Sequence, residues 1–466
     1  MDSGALQAHV GRLWQDSILP ELIQYIRIPN QSPAFDPDWQ SNGHMDRAIA
    51  LYERWARGCG LRATTVEVVR QPGRTPLLYI EVDGAGQECI LLYGHLDKQP
   101  AMGDWRTGLD PWQPVLEGQR LYGRGGADDG YAMFAALAAL SALQAQGVAH
   151  SRCVILIEAC EESGSLDLPE YVAHLAPRIG PVGLVIALDS GCADYQRLWC
   201  TTSLRGIAGG TLRVAMLDEG VHSGNAGGVV ADTFRIARML LSRVEDERSG
   251  TIAAPFNAPI PEVRIGQAQA AAAILGDALW QAFPFLPGAR PLSYGHELVL
   301  DRTWRPALAV IGAEGLPSLA QAGNVLRPAT ALKLSLRLPP SLNGAQAVQE
   351  LKRILEADPP FGATVSFEPN WGASGWDAPP TAPWLEQALA RASLTYFGAT
   401  PAAVGEGGTI PFMAMLGERF PQAQFLITGV LGPGSNAHGP NEFLDLPTAR
   451  KLTCCVAEVI AAYHRR

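Results

Sequence analysis

The sequence predicts an α/β protein in which a mostly parallel sheet forms one domain and an α+β unit with a half-exposed sheet is inserted into it. Three observations support this fold class. The chain has 466 residues, more than one ordinary hydrophobic core organises. Short aliphatic segments alternate with helical segments up to about residue 200, as in parallel sheets covered by helices. Farther along, Leu332–Leu338 alternates apolar and polar residues, which predicts a strand with one buried face.

The first domain is predicted to begin with a helix and to continue with buried strands. Gly4–Ile28 has the apolar spacing of a helix. Leu77–Val82 and Cys89–Tyr93 are predicted strands, joined by a hairpin-like turn at residues 83–86. Ala132–Gln146 is the clearest of the helices that follow. The apolar stretch that overlaps it, Tyr131–Leu143, is too short to span a bilayer and is therefore predicted to be a buried helix.

The character of the chain changes near residue 205. The elements predicted beyond this point are a strand at Thr211–Met216, a helix at Val229–Val244, a helix at Ala345–Leu355 and a strand at Thr364–Phe367. After residue 373 the chain returns to helix, apolar strand and helix, and His438 lies on this return. We therefore expect residues 205–373 to be inserted into a first domain formed by residues 1–204 and 374–466.

Composition excludes several classes of protein. The net charge of -10 argues against nucleic acid and anionic membranes as partners, since both attract basic patches. The N-terminus lacks the basic and apolar regions of a signal peptide. The eight cysteines show no C-x-x-C pair and no framework spacing, so free thiols in a reducing cytoplasm are expected. Neither a P-loop, a dinucleotide fingerprint nor a G-x-S-x-G motif is present.

Side chains typical of metal sites follow the predicted strands. The residues concerned are His95, Asp97, Asp128, Asp129, Glu161, Glu162, Asp189 and His438. The carboxyl ends of parallel strands meet at one edge of a sheet, where α/β proteins place their ligand sites. Carboxylates and imidazoles gathered there would need a cation, and two divalent ions are the simplest solution. Two histidines with carboxylates suit Zn, with Mn and Co as alternatives.

Each of these residues also has an ordinary structural explanation. Asp128 and Asp129 could cap the helix that follows them, and Asp189 could form an Asx turn. Glu161 and Glu162 could lie in a solvated turn. Two adjacent carboxylates after a buried strand are costly, however, unless something positive faces them. If one is a metal ligand, its neighbour is free to act as a general base.

As an ordered set, these motifs resemble the carnosinase / acetylornithine deacetylase / succinyl-diaminopimelate desuccinylase family of co-catalytic zinc exopeptidases and N-acyl-amino-acid hydrolases. The resemblance covers nearly the whole chain. It rests on residues 93–97, 123–129, 161–165, 189–190, 222–224, 406–411 and 437–438. It implies a zinc-exopeptidase-like catalytic domain with an inserted ferredoxin-like dimerisation domain, and a homodimer.

The resemblance also implies a role for each site residue. One metal would be bound by His95, Asp128 and Asp189, and the other by Asp128, Glu162 and His438, with Asp128 bridging. Asp97 would orient His95, Glu161 would be the general base, and His222 would reach the active site of the partner subunit. Residues implied to contact the substrate are Asn324, Arg337 and Thr409. Without the resemblance, Arg337 would be assigned to the wet face of its strand.

Two related activities remain open from the sequence. One is cleavage of a peptide or amide bond next to a free carboxylate, as by a dipeptidase or carboxypeptidase, and the other is deacylation of N-acyl amino acids. Gly130, Arg327 and Gly405 stand where relatives often carry Lys, Pro and Arg, which leaves the exact substrate open. A third hypothesis, a catalytically inactive scaffold, is disfavoured because every ligand and the base are kept.

Overall fold

The computed structural model describes residues 1–466 except for the side chain of Pro411. Its α-helices are α1 (Ser3–Leu13), α2 (Leu19–Ile26), α3 (His44–Gly58), α4 (Ala132–Ala145), α5 (Leu168–Ile179), α6 (Ser223–Ala226), α7 (Thr233–Leu241), α8 (Glu262–Leu275), α9 (Ala278–Gln281), α10 (Gly295–Thr303), α11 (Gly344–Glu356), α12 (Pro383–Tyr396), α13 (Pro411–Arg419) and α14 (Leu446–Arg465).

The strands are likewise numbered in chain order. They are β1 (Thr64–Val69), β2 (Leu77–Val82), β3 (Ala85–His95), β4 (Val115–Glu117), β5 (Arg120–Tyr122), β6 (Ser151–Glu158), β7 (Val182–Ala187), β8 (Trp199–Leu204), β9 (Gly206–Ala215), β10 (Val221–His222), β11 (Ala307–Glu314), β12 (Val325–Leu326), β13 (Ala329–Leu338), β14 (Thr364–Ala373), β15 (Trp376–Asp377), β16 (Ala402–Glu406), β17 (Gln424–Ile427) and β18 (Phe443–Asp445).

The main sheet has six strands in the order β1-β2-β6-β3-β7-β17. The four strands β6, β3, β7 and β17 are parallel, so the predicted mostly parallel sheet is confirmed. One face packs against α1, α4, α12 and α14, and the other against α5 and α13. Both faces are therefore covered, which explains why the central strands are aliphatic rather than alternating.

The predicted hairpin between β2 and β3 is wrong. Strand β6 lies between them and pairs with both. The turn carries the chain past the start of β6, because the Ala85 amide donates to the His150 carbonyl at 3.0 Å. A Cβ on Gly84 would lie 2.4 Å from the Ser151 backbone, so a glycine is needed for this close passage.

A second, antiparallel sheet has the order β11-β13-β9-β14 and packs one face against α7 and α11. The alternation predicted in β13 is present, with its leucines buried and Lys333, Ser335 and Arg337 half-buried. Strand β9 begins five residues before the predicted strand. Helix α7 is shorter than predicted, because Asp232 caps it by accepting a hydrogen bond from the Arg235 amide at 3.0 Å.

Helices α8 to α10 fold back onto a third sheet, β15-β8-β16. Arg264 of α8 pairs with Asp377 of β15 at 2.7 Å. Thr202 of β8 donates to the Gln267 side chain at 2.8 Å. Part of the segment 205–373 thus lies against the strands that lead to the site described below. A search of the described residues found no helix long and apolar enough to cross a membrane.

Candidate metal centre

Five of the predicted metal ligands meet at the carboxyl edge of the main sheet. His95 ends β3, while Glu162 and Asp189 follow β6 and β7. Asp128 lies in a glycine-flanked turn before α4, and His438 lies in the loop after β17. This edge is where the topology of a parallel sheet places a ligand site.

Asp128 stands between the two histidines. Its Oδ1 lies 3.4 Å from Nε2 of His95, and its Oδ2 lies 3.1 Å from Nε2 of His438. On the outer sides, Asp189 Oδ1 is 3.7 Å from His95 Nε2, and Glu162 Oε2 is 3.2 Å from His438 Nε2. The side chains therefore form two adjacent groups of donors that share one carboxylate.

The donor set suits divalent cations. Nε2 of His95 is buried and has no hydrogen-bond partner among the described residues, although carboxylate oxygens of Asp128 and Asp189 lie 3.4 and 3.7 Å from it. Donor atoms of His95, Asp128 and Glu162 lie within 4.8 Å of one another, and the same holds for His95, Glu161 and Asp189. Imidazole and carboxylate groups at such spacing are the ligands that Zn and similar ions prefer.

The electrostatics also show that carboxylates are in excess in the cluster. Burial and the neighbouring Asp128 raise the pKa of Glu162 to about 7. Burial and Asp189 raise the pKa of Glu161 well above its usual range. Burial alone would lower the pKa of His438, but Asp128 and Glu162 raise it to about 11. Cations in the cluster would relieve this repulsion between carboxylates.

Asp97 connects the first histidine to the paired glutamates. Its two carboxylate oxygens accept hydrogen bonds from the amides of Glu161 and Glu162, at 3.1 and 3.0 Å. Nδ1 of His95 lies 3.5 Å from Asp97 Oδ1 and 3.1 Å from the Asp97 carbonyl oxygen. Asp97 is fully buried. Through these contacts it holds both the turn that presents the two glutamates and the imidazole ring of His95.

Sequence reasoning missed the buried pair of Arg124 and Glu442. Arg124 Nη1 lies 2.6 Å from Glu442 Oε2, and both side chains are almost completely buried. Glu442 also accepts hydrogen bonds from the amides of Gly125, Ala127 and Asp128. Arg124 donates to the carbonyl of Gly439 at 2.7 Å, directly after His438. The pair thereby ties the loop of Asp128 to the loop of His438.

Glu158 is a second residue that sequence reasoning missed, and it ends β6 three residues before Glu161. Its Oε1 accepts hydrogen bonds from the Tyr93 hydroxyl at 2.6 Å and the Ser165 hydroxyl at 2.8 Å. Burial and the charge of Asp97 raise the pKa of Glu158 to about 8. Its only signal in the sequence is weak, an acidic residue at the end of an otherwise apolar strand.

Two of the predicted substrate contacts lie together. Arg337 Nη1 donates to the Thr409 hydroxyl at 3.0 Å, and this hydroxyl donates to the Arg205 carbonyl at 2.6 Å. Burial lowers the pKa of Arg337. The pKa of Arg205 is lowered to about 10 by burial and by the positive charges of Arg337 and Arg302. This surface is therefore rich in positive charge and suited to an anion.

His222 and Asn324 lie together but apart from the metal cluster. His222 ends β10, Asn324 directly precedes β12, and both residues are exposed. Nδ1 of His222 accepts from the Gly224 amide at 3.1 Å, and the Ser223 amide donates to the Asn324 carbonyl at 2.9 Å. Among the described residues, no hydrogen bond or ion pair joins either side chain to the cluster.

The parallel sheet, the shared carboxylate and the adjacent acidic residue Glu161 indicate a metal-dependent hydrolase. Residues 91–462 match the family described as peptidase family M20/M25/M40, and the chain belongs to this family. The resemblance inferred from the motifs is thus confirmed.

Individual relatives are similar over most of their length. The chain is 26% identical to a cysteinylglycine-S-conjugate dipeptidase of Corynebacterium striatum, over 80% of this chain and 81% of the relative. It is 26% identical to the human beta-Ala-His dipeptidase, over 92% and 87% of the two chains. The crystal structure of the M20 metallo-carboxypeptidase Sso-CP2 from Sulfolobus solfataricus superposes with a TM-score of 0.79 at 19% identity, covering 97% and 100%.

Proposed function

We propose that this protein is a dinuclear dipeptidase that cleaves a peptide bond next to a free carboxylate. The observation that carries the proposal is the position of Asp128, with one oxygen toward His95 and the other toward His438. His95, Asp128 and Asp189 would hold one ion, and Asp128, Glu162 and His438 the other. Such ions supply activation of a water molecule and polarisation of the scissile carbonyl. Zn fits these donors best, with Mn and Co as alternatives.

Glu161 is the proposed general base. Donor atoms of Glu161, His95 and Asp189 lie within 4.8 Å of one another, so its carboxylate is on the side of the cluster that His95 and Asp189 form. A carboxylate at this position can accept the proton of the attacking water. Asp97 is the proposed positioning residue, because it holds the backbone of Glu161 and the ring of His95.

Arg337 and Thr409 are the proposed binding site for the substrate carboxylate. A guanidinium binds a carboxylate through two parallel hydrogen bonds, and Arg337 forms no ion pair with a carboxylate among the described residues. The exposed His222 and Asn324 are proposed to act in a homodimer, at the active site of the partner. Strand β11 supports dimerisation, because it is an edge strand with Val310 and Ile311 exposed.

Three further parts of the proposal concern the domain boundaries, the cellular location and the substrate. The catalytic domain would comprise residues 1–204 and 374–466, and the inserted domain residues 205–373. A cytoplasmic location is supported by the eight cysteines, which are free thiols in this structure and mostly buried. The dipeptidase relatives favour a dipeptide over an N-acyl amino acid as substrate.

Metal analysis combined with a substrate panel tests the proposed function. The purified protein is expected to bind two equivalents of divalent metal and to cleave dipeptides. Dialysis against a chelator should abolish activity, and adding Zn, Mn or Co should restore it, because the donors remain in place. Faster cleavage of N-acyl amino acids than of every dipeptide would instead favour the deacylase.

Arg337→Lys provides a more specific test. Lysine keeps the positive charge but cannot form the paired hydrogen bonds, so kcat/KM on dipeptides should fall about tenfold or more. Dipeptide amides lack the carboxylate, and their slow cleavage should change little. An equal loss on free and amidated substrates would remove Arg337 from the carboxylate site.

A further inference from the structure

A cavity of about 490 Å³ lies beside the loop that follows Asp189 and has no role in the site described so far. Its size is typical of pockets for small molecules. One wall is formed by the loops that follow β7 and β17, including Gly191 and Gly432. Gly191 is two residues beyond Asp189, and Gly432 begins the loop that carries His438. The cavity is therefore attached to the same sheet edge as the ligands.

The opposite wall comes from the segment that folds back from the inserted region. Helices α8 and α9 contribute Leu275, Ala278 and Leu279, and α10 contributes Val299. With Val404 and Leu431, these side chains make most of the lining apolar. A pocket of this composition gains free energy by removing an apolar side chain from water.

Glu406 lines the cavity, and its carboxylate contacts Ser190 and Gly191, which directly follow the proposed metal ligand Asp189. Oε1 of Glu406 accepts hydrogen bonds from the Gly191 amide at 2.8 Å and the Ser190 hydroxyl at 3.0 Å. Oε2 of Glu406 has no hydrogen bond or ion pair among the described residues. The carboxylate is thus held in position by one oxygen, while the other is available to a cation such as an ammonium group.

Glu406 and Thr409 are three residues apart in the chain, which sets an upper limit on the distance between their α-carbons. Three extended residues span at most about 10 Å, and the two residues of a dipeptide span roughly 7 Å between their termini. A substrate whose carboxylate is bound by Arg337 and Thr409 can therefore extend its amino group toward Glu406. Its N-terminal side chain then lies beside the cavity.

We propose that this cavity receives the side chain of the N-terminal residue of the substrate and that Glu406 binds its α-ammonium group. The inference rests on the proposed dipeptidase function and narrows its substrate class to dipeptides with a free amino group and a large apolar N-terminal residue. Leucylglycine and phenylalanylglycine represent this class. Glycylglycine and N-acetyl-leucylglycine each lack one of the two recognised features.

The experiment compares kcat/KM on these four substrates for the metal-loaded wild type and two variants. Wild type should prefer leucylglycine over glycylglycine by about tenfold or more, because a buried leucine side chain contributes binding that glycine lacks. Acetylation should lower kcat/KM by about tenfold or more, since it leaves Glu406 without a cation. Ala278→Phe fills the cavity from an exposed position on α9. It should reduce cleavage of leucylglycine about tenfold while changing that of glycylglycine little.

Ala273→Phe is the matched control, because Ala273 is exposed on the neighbouring helix α8 and does not line the cavity. It should behave as wild type on all four substrates. Equal rates on leucylglycine and glycylglycine in wild type, or an equal loss on both in Ala278→Phe, would overturn the assignment of the cavity and leave the dipeptidase standing. A metal-loaded wild type that cleaves no dipeptide would overturn the proposed function itself.

Discussion

Glu161→Gln should retain both metal equivalents and lose about 10²–10⁴-fold in kcat, because the substitution removes the group that takes the proton from the attacking water. Glutamine has nearly the same shape and cannot accept this proton. Glu162→Gln should behave differently and lose metal as well as activity, since Glu162 is assigned to the group around His438. The measurements are metal content after gel filtration and steady-state kinetics on one dipeptide.

The metal measurement is needed because Glu161 lies within ligand distance of the first group of donors. If Glu161 were a ligand rather than the base, Glu161→Gln would lose an equivalent of metal. Glu170→Gln is a suitable control, because Glu170 lies on α5 with its side chain largely exposed. Near-normal turnover in Glu161→Gln with both metals bound would contradict the assignment of the base.

The clustering of the proposed metal ligands could be predicted from the sequence because their placement depends on a local rule. Each follows a short apolar strand, and parallel strands bring their carboxyl ends to one edge. Asp128 is the exception, since only the glycines around it indicated a turn. The alternation of β13 was equally local, because one face of its sheet is solvated.

The residues that hold the ligands in place could not be predicted, because their partners are distant in sequence. Glu442 reaches Arg124 across 318 positions, and no periodicity marks either residue. The order of the strands in the main sheet could not be predicted for a similar reason. The turn before β3 has the residues of a hairpin, and only the insertion of β6 shows that it connects strands that do not pair. The cavity beside the loop that follows Asp189 likewise depends on α8 to α10 folding back over many residues.

The second prediction with a large effect concerns His222, which we expect to act at the active site of the partner subunit. His222 is exposed, and among the described residues no hydrogen bond or ion pair joins it to the cluster of its own chain. An imidazole supplied by a second chain could donate a hydrogen bond to the oxyanion that develops on the scissile carbonyl. Both His222→Ala and Glu161→Ala homodimers should therefore be nearly inactive.

Mixing these two inactive variants and allowing their subunits to exchange should restore activity. In the mixed dimer, one site has its own Glu161 and receives an intact His222 from the other chain, while the second site lacks both. With random exchange of equal amounts, about a quarter of the wild-type activity should return, because half of the dimers are mixed and each has one working site. A mixture of Glu161→Ala with Asp97→Ala is the control and should stay inactive, since both residues serve their own chain. If the His222 mixture also stays inactive after exchange is verified, or if the protein is monomeric at the assay concentration, His222 does not act in trans.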